Sequence, residues 1–157
     1  MMTRKRSDPA DAAFRQLNEE GCTVMRLHMA ARLGQQLYGE YMAEAGLTSP
    51  QFGTLAFLYR DGVHAVSELA VLLGIDPTTL TRNLRLMEQR GLITQAPAAQ
   101  DRRRREIRLT AEGHRVFRKA LPLWQKAQAT LAERLGQLQV ADLNRRLDDA
   151  LPRLRGT

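Results

Sequence analysis

The residues best equipped for chemistry are five in a row, Asp101-Arg102-Arg103-Arg104-Arg105. A guanidinium group stays charged at any ordinary pH and presents a fork of N–H donors that fits phosphate oxygens and base edges. Such a run therefore suits polyanion binding rather than proton transfer. The clustering extends beyond the run itself. Residues 81–108 hold eight arginines against three acids, a net +5, whereas the other 129 residues share only +2 of the +7 total. Charge gathered on one stretch of an otherwise near-neutral chain is the electrostatic footprint of nucleic-acid binding, and solubility alone requires no such gathering. A sequence pI near 10.5 also favours an acidic partner.

The other reactive side chains do not assemble into a catalytic set. Cys22 is the only cysteine, which excludes an internal disulfide, and the histidines lie far apart at 28, 64 and 114. No metal site, no cofactor and no enzyme activity are expected, because no Cys/His/Asp constellation, metal-ligand spacing or phosphate-cradling glycine loop is present. Cys22 shares a helical stripe with Met25, Met29 and Leu33. Its plainer reading is a small apolar residue in a helix interface. Arg15 or Arg26 on adjacent turns would favour its thiolate.

These side chains need a frame to position them. A chain of 157 residues with 43% hydrophobic and 26% charged residues fits one folded domain with a core. Residues 1–10 read as a mobile arm. Its basic start is not followed by an apolar leader segment, and no apolar run approaches bilayer length, so a cytoplasmic protein without a membrane partner is expected. The pattern predicts one helix from about Asp11 to Ala45, apolar on two faces and closed by Gly46, and a second over Gln51–Tyr59 after the Thr48-Ser49-Pro50 start signal. A short third helix opens at Ser67-Glu68 and ends at Gly74.

Asp76 as N-cap and Pro77 in the first turn then start a helix that runs to Gln89 or Arg90. Its Leu80, Leu84 and Met87 face one way, and Thr78, Arg82 and Arg85 the other. Two short helices joined by Gly74-Ile75-Asp76-Pro77 match a helix-turn-helix, with the second as the recognition helix. Leu92–Ala96 and Glu106–Leu109 can pair as strands of a hairpin wing. Thr110 caps a long helix, in which Trp124, Ala127, Leu131, Leu135 and Leu138 form a stripe, and a last helix carries Leu143, Leu147, Leu151 and Leu154. The expected fold is thus mainly α with a small β-wing: a winged helix-turn-helix lobe over 48–110, with helices at 11–45 and 111–157 joining two copies into a homodimer.

This order of elements resembles the MarR family of winged-helix transcription regulators. The segments that carry the resemblance are Asp101-x-Arg103 followed by Leu109-Thr110-x-x-Gly113, Leu69-Ala70, Thr79-Leu80-Thr81-Arg82, and Leu86-Met87-Glu88-Gln89-Arg90-Gly91-Leu92-Ile93. The resemblance covers about residues 15–150. It implies a homodimer whose two recognition helices enter successive major grooves of a pseudo-palindromic double-stranded DNA operator, with a small-molecule effector as a further partner. Thr78, Thr81, Arg82 and Arg85 would then meet the major groove, flanked by Thr79 and Asn83, and Ser67 would meet phosphate. Arg103 would enter the minor groove, oriented with its neighbours by Asp101, while Arg102, Arg104 and Arg105 would add phosphate contacts. The plainer reading of these arginines is a solvated surface with pairs such as Arg85 with Glu88. A peroxide-sensing branch of the family, which the chain resembles only in having a lone cysteine in its first helix, makes Cys22 a candidate redox sensor; Tyr38 and Tyr41, which would receive the oxidised group, lie on the other stripe and weigh against it. The reading with most support is a repressor released by a ligand or by oxidation in a stress response; the alternative is a non-specific architectural nucleic-acid-binding protein.

Overall fold

A computed structural model describes residues 9–98 and 105–156. Among the described residues, seven helices and three short strands follow in the order α1 (Pro9–Glu20), α2 (Thr23–Ala43), α3 (Ser49–Asp61), β1 (His64–Ala65), α4 (Val66–Leu73), α5 (Pro77–Gln89), β2 (Ile93–Pro97), β3 (Arg105–Leu109), α6 (Ala111–Leu135) and α7 (Gln137–Leu154). The mainly helical fold with a small wing is therefore as expected. By contact density the chain divides into two units, residues 1–35 and 36–157.

In the larger unit the core is built where apolar residues recur at helical spacing. Leu55, Leu69, Leu80, Leu84, Met87 and Ile107 are fully buried and belong to one cluster that also takes in Val116, Phe117 and Ala120 of α6. Each such side chain contributes about 1.5–3 kcal/mol relative to exposure. Ring packing of Phe52 on Phe117, with centroids 5.5 Å apart, and of Tyr59 on Phe117, at 4.7 Å, seats α3 against α6.

The start signals act as predicted. Thr48 Oγ1 accepts from Gln51 N at 3.3 Å while Gln51 Oε1 accepts from Thr48 N at 3.0 Å, a reciprocal capping box on α3. The Asp76 carboxylate accepts from Thr78 N at 3.1 Å and Thr79 N at 3.4 Å at the head of α5. Thr110 Oγ1 accepts from Gly113 N at 2.9 Å at the head of α6.

The sheet has the antiparallel order β1-β3-β2, with Gln95 opposite Ile107 and Pro97 opposite Arg105. Leu92, expected to begin the strand, instead finishes the preceding turn: its N–H donates to Met87 O at 3.0 Å and its side chain is buried. β1 was not predicted. His64 pairs with Ile107 and Ala65 with Glu106, a rung too short to show alternation in sequence.

Two expectations about the long helices are corrected. The single helix over 11–45 is broken at Gly21, which takes φ +74°, a left-handed conformation that side chains with a Cβ rarely adopt. Arg26 folds back over the break, its Nη1 donating to Glu20 O at 2.6 Å, and occupies the space a Cβ on residue 21 would need. The stripe from Trp124 to Leu138 also crosses a helix end, because α6 stops at Leu135; Leu138 lies on α7 and is exposed.

In the smaller unit, none of the described residues, 9–35, is buried. Phe14, Val24, Met25, Met29 and Leu33 all stand exposed in the single chain.

Candidate nucleic-acid interface

The three-residue turn between α4 and α5, Gly74-Ile75-Asp76, sets the reading face of α5. Gly74 ends α4, Asp76 caps α5, and the buried Leu80, Leu84 and Met87 fix which side of α5 turns inward. The opposite side is then presented outward by the 3.6-residue period. Thr78, Thr79, Thr81, Arg82 and Arg85 are all exposed, and Asn83 is half-buried. Pro77, Thr78, Thr81, Arg82 and Arg85 together line a shallow, open concavity along the helix. The structure thus brings Thr78, Thr81, Arg82 and Arg85 onto one surface, with two cations on it; Thr79 and Asn83 are not part of that lining.

The hydroxyl of Thr81 is partly committed, since it donates to Pro77 O at 2.8 Å. What it retains for a ligand is its lone pairs and its methyl group. Ser67 is exposed in the first turn of α4. The helix begins one residue earlier than expected, after Ala65, whose N–H donates to the Glu68 carboxylate at 3.2 Å. That carboxylate offsets the positive end of the helix beside Ser67.

Arg105 opens β3 and is exposed opposite Pro97. Asp101, Arg102, Arg103 and Arg104 lie outside the described residues. Arg108, on the same strand, is exposed and paired with Glu106 at 3.0 Å.

The pairing of Arg85 with Glu88 does not form. Both carboxylate oxygens of Glu88 accept instead from Gln95 of β2, one from the backbone N–H at 3.1 Å and one from the side-chain amide at 3.0 Å. This tie between α5 and the wing was missed in sequence, because seven residues and a turn separate its partners. Arg90 was missed likewise: from the end of α5 its Nη1 donates to Gln51 Oε1 at 3.4 Å.

Behind the reading face, α6 holds the junction between α5 and β2. Thr110 Oγ1 donates to Gly91 O at 2.6 Å, and Thr110 N donates to Leu92 O at 3.1 Å. A Cβ on Gly113 would collide with the same Leu92 carbonyl oxygen. The Thr110-x-x-Gly113 spacing is therefore a physical requirement. Threonine caps α6 while gripping the junction, and glycine lets the helix approach it.

Cys22 is half-buried at the break between α1 and α2 rather than inside a continuous helix, and its carbonyl accepts the first hydrogen bond of α2, from Arg26 N at 3.1 Å. The Arg26 head group is engaged by Glu20 O, and Met25, Met29 and Leu33 of the same stripe are exposed. Tyr41, on the other stripe, is hydrogen-bonded through its hydroxyl to Thr130 Oγ1 at 2.7 Å. Among the described residues no cluster of three or more His, Cys, Asp or Glu is placed to hold a metal ion, and no helix is long and apolar enough to cross a membrane.

Residues 45–104, from the start of the lobe into the arginine run, match the model of the MarR family. The transcriptional regulator HosA of Escherichia coli O127:H6 (strain E2348/69 / EPEC) is 32% identical over 110 residues, which cover 69% of this chain and 81% of that one. The chain belongs to the MarR family. MarR-family proteins are DNA-binding transcription regulators, not enzymes. The organic hydroperoxide resistance transcriptional regulator of Bacillus subtilis (strain 168) is 29% identical over 110 residues, 70% of this chain and 75% of that one. The crystal structure of the M. tuberculosis transcriptional regulator MosR in complex with DNA superposes with a TM-score of 0.75 at 34% identity, covering 86% of this chain and 97% of that chain. As a MarR-family fold, α4 and α5 are the helix-turn-helix and β2 with β3 is the wing.

Proposed function

We propose that this protein is a homodimeric repressor that binds a pseudo-palindromic DNA operator and is released by a small-molecule effector or by oxidation. The carrying observation is the outward face of α5, where Thr78, Arg82 and Arg85 stand exposed on one surface over a rigidly buried opposite side. Arg82 is the residue best suited to bridge the O6 and N7 acceptors of a guanine, with Arg85 one turn on. Thr81 offers its methyl group or an acceptor lone pair, Thr79 and Asn83 flank the contact, and Ser67 reaches phosphate. Arg103 enters the adjacent minor groove, Asp101 orients it, and Arg102, Arg104 and Arg105 bind backbone phosphates. The co-crystal of MosR with DNA, at 34% identity, supports duplex DNA as the ligand.

Residues 1–157 act as one MarR-like domain, with 48–110 as the DNA-binding lobe and with α1, α2 and the helices over 111–157 pairing two copies; of the arm expected over 1–10, residues 1–8 lie outside the described residues and Pro9 and Ala10 already belong to α1. The exposed apolar face of residues 14–33 supports that pairing. Two recognition helices then sit about 34 Å apart, one turn of duplex. An effector acts by changing that separation. Cys22, half-buried beside the exposed Met25 and Met29, is the candidate redox sensor: oxidation would place a polar group at the pairing surface. The likeness to a hydroperoxide-resistance regulator supports that branch.

Selection of genomic fragments by the purified protein, with and without mild peroxide, tests the proposal. A selected pseudo-palindrome that is lost on oxidation, and retained in Cys22→Ser, is the expected result. Selection insensitive to peroxide transfers release to a small molecule. Equal binding of unrelated sequences, governed by salt alone, would establish the architectural alternative instead.

A further inference from the structure

Recognition helix and wing are read as two separate contacts with DNA, in two different grooves. For their binding energies to add, the angle between them must be fixed before DNA arrives, because any freedom is lost on binding and subtracts from affinity. The base of the wing is fixed by burial, through Leu92, Ile93 and Ile107. Farther out, Thr94, Ala96 and Pro97 are exposed and β2 is an outer strand of the sheet. There, the carboxylate of Glu88 on α5 holds Gln95 at two points, accepting from its backbone N–H at 3.1 Å and from its side-chain amide at 3.0 Å. A carboxylate that takes two parallel donors resists rotation about either bond, and charge-assisted hydrogen bonds are stronger than neutral ones. A negative charge next to a DNA-binding face otherwise works against binding, so its retention there needs a structural reason.

We propose that Glu88 and Gln95 are a positioning pair that sets the pitch of the wing relative to the recognition helix, and so lets base readout by α5 and groove contact by the wing occur together. Neither residue touches DNA in this role. The inference rests on the DNA-binding reading for its consequence, but not for its geometry.

The test uses the full chain, as wild type, as Glu88→Ala, and as the exchange Glu88→Gln with Gln95→Glu. In the exchange, the new amide at 88 still accepts from the backbone N–H of residue 95 and donates to the carboxylate introduced there, so both bonds are rebuilt with no change in net charge. Residual dipolar couplings of the free protein report the orientation of β2 and β3 relative to α5. In Glu88→Ala the strand couplings should no longer fit the alignment that fits α5, with unchanged far-ultraviolet circular dichroism, and in the exchange the common alignment should return. On duplexes, the ratio of affinity for the selected operator to affinity for unrelated DNA should fall about tenfold in Glu88→Ala and recover to within about threefold in the exchange. Loss of a negative charge alone predicts the reverse, tighter binding to all DNA.

An alignment unchanged by Glu88→Ala overturns the proposal, as does an exchange that fails to restore it while remaining folded. If the wild type prefers no sequence at all, the regulator reading fails, and the couplings in the free protein still decide the positioning role.

Discussion

Residues 9–35 and the lobe that follows make opposite use of their apolar side chains. In the lobe, leucines and methionines at helical spacing disappear into one core, and helix ends, turn carbonyls and the wing strand are joined by named hydrogen bonds. In residues 9–35 the same residue types stand in water: Val24, Met25 and Leu33 are 72%, 62% and 64% exposed. A 12-residue helix such as α1, with nothing buried, is marginal on its own. The lobe is a self-supporting reader, whereas the first helices are built to be completed by something outside the single chain.

The contrast is broken most severely at Gly113. Helix propensity favours alanine over glycine there by about 1 kcal/mol. Yet the added methyl group meets a backbone carbonyl, that of Leu92, which is itself held by Thr110 N. Overpacking against backbone costs about 3 kcal/mol and wins. Gly113→Ala is expected to destabilise the lobe by a net 2 kcal/mol or so, seen as a lower denaturant midpoint at unchanged slope. A midpoint equal to or above that of the wild type would mean that α6 does not grip the α5–β2 junction as tightly as its contacts indicate.

A smaller and differently located effect is expected from Leu33→Ala. With nothing buried to lose, the lobe's own unfolding transition should not move. Self-association should weaken about tenfold, since the two copies together surrender about 1.5 kcal/mol of apolar burial. Sedimentation over a dilution series reads this directly. A variant that instead melts earlier while keeping its mass would show that the exposed face serves the single chain, and the contrast between the two regions would collapse.

What could be read in the sequence was whatever a local rule encodes. Asp76-Pro77 announces its helix because the cap and the missing N–H of proline act within one turn, and the inward Leu80, Leu84 and Met87 follow from the period alone. The outward face with Thr78, Arg82 and Arg85 came free with that period. Contacts across a turn were out of reach. Glu88 had a cation three residues back and a glutamine seven residues ahead; only the sharp turn at Gly91-Leu92, set by α6, decides for Gln95. Gly21 was passed over because a lone glycine in a helical pattern is often tolerated, and the carbonyl that Arg26 returns to is visible only once the chain is folded. The two-residue β1 carries no periodicity, and its existence follows from β3 having a free edge to pair with.

The smallest expected effect lies at the rim of the lobe, where charge rather than apolar burial does the joining. Asp61 ends α3 and receives Arg60 Nε at 2.6 Å and Nη2 at 2.7 Å, with His64 Nε2 of β1 at 3.1 Å. The Arg60 hydrogen bonds, followed by that from His64, lower the Asp61 pKa from 3.8 to about 2. A carboxyl group whose folded pKa is depressed favours the folded state when ionised. Its contribution is therefore complete above about 3.8 and fades as the pH falls towards about 2. Because the group is open to solvent, screening keeps that contribution small. Asp61→Asn should thus be slightly less stable than wild type near neutral pH, and the two stability curves should converge on acidification through that window. Parallel curves down to the acid limit would mean that the Arg60-Asp61-His64 cluster does not help tie α3 to β1, leaving the rim, like the core, to be held by apolar packing.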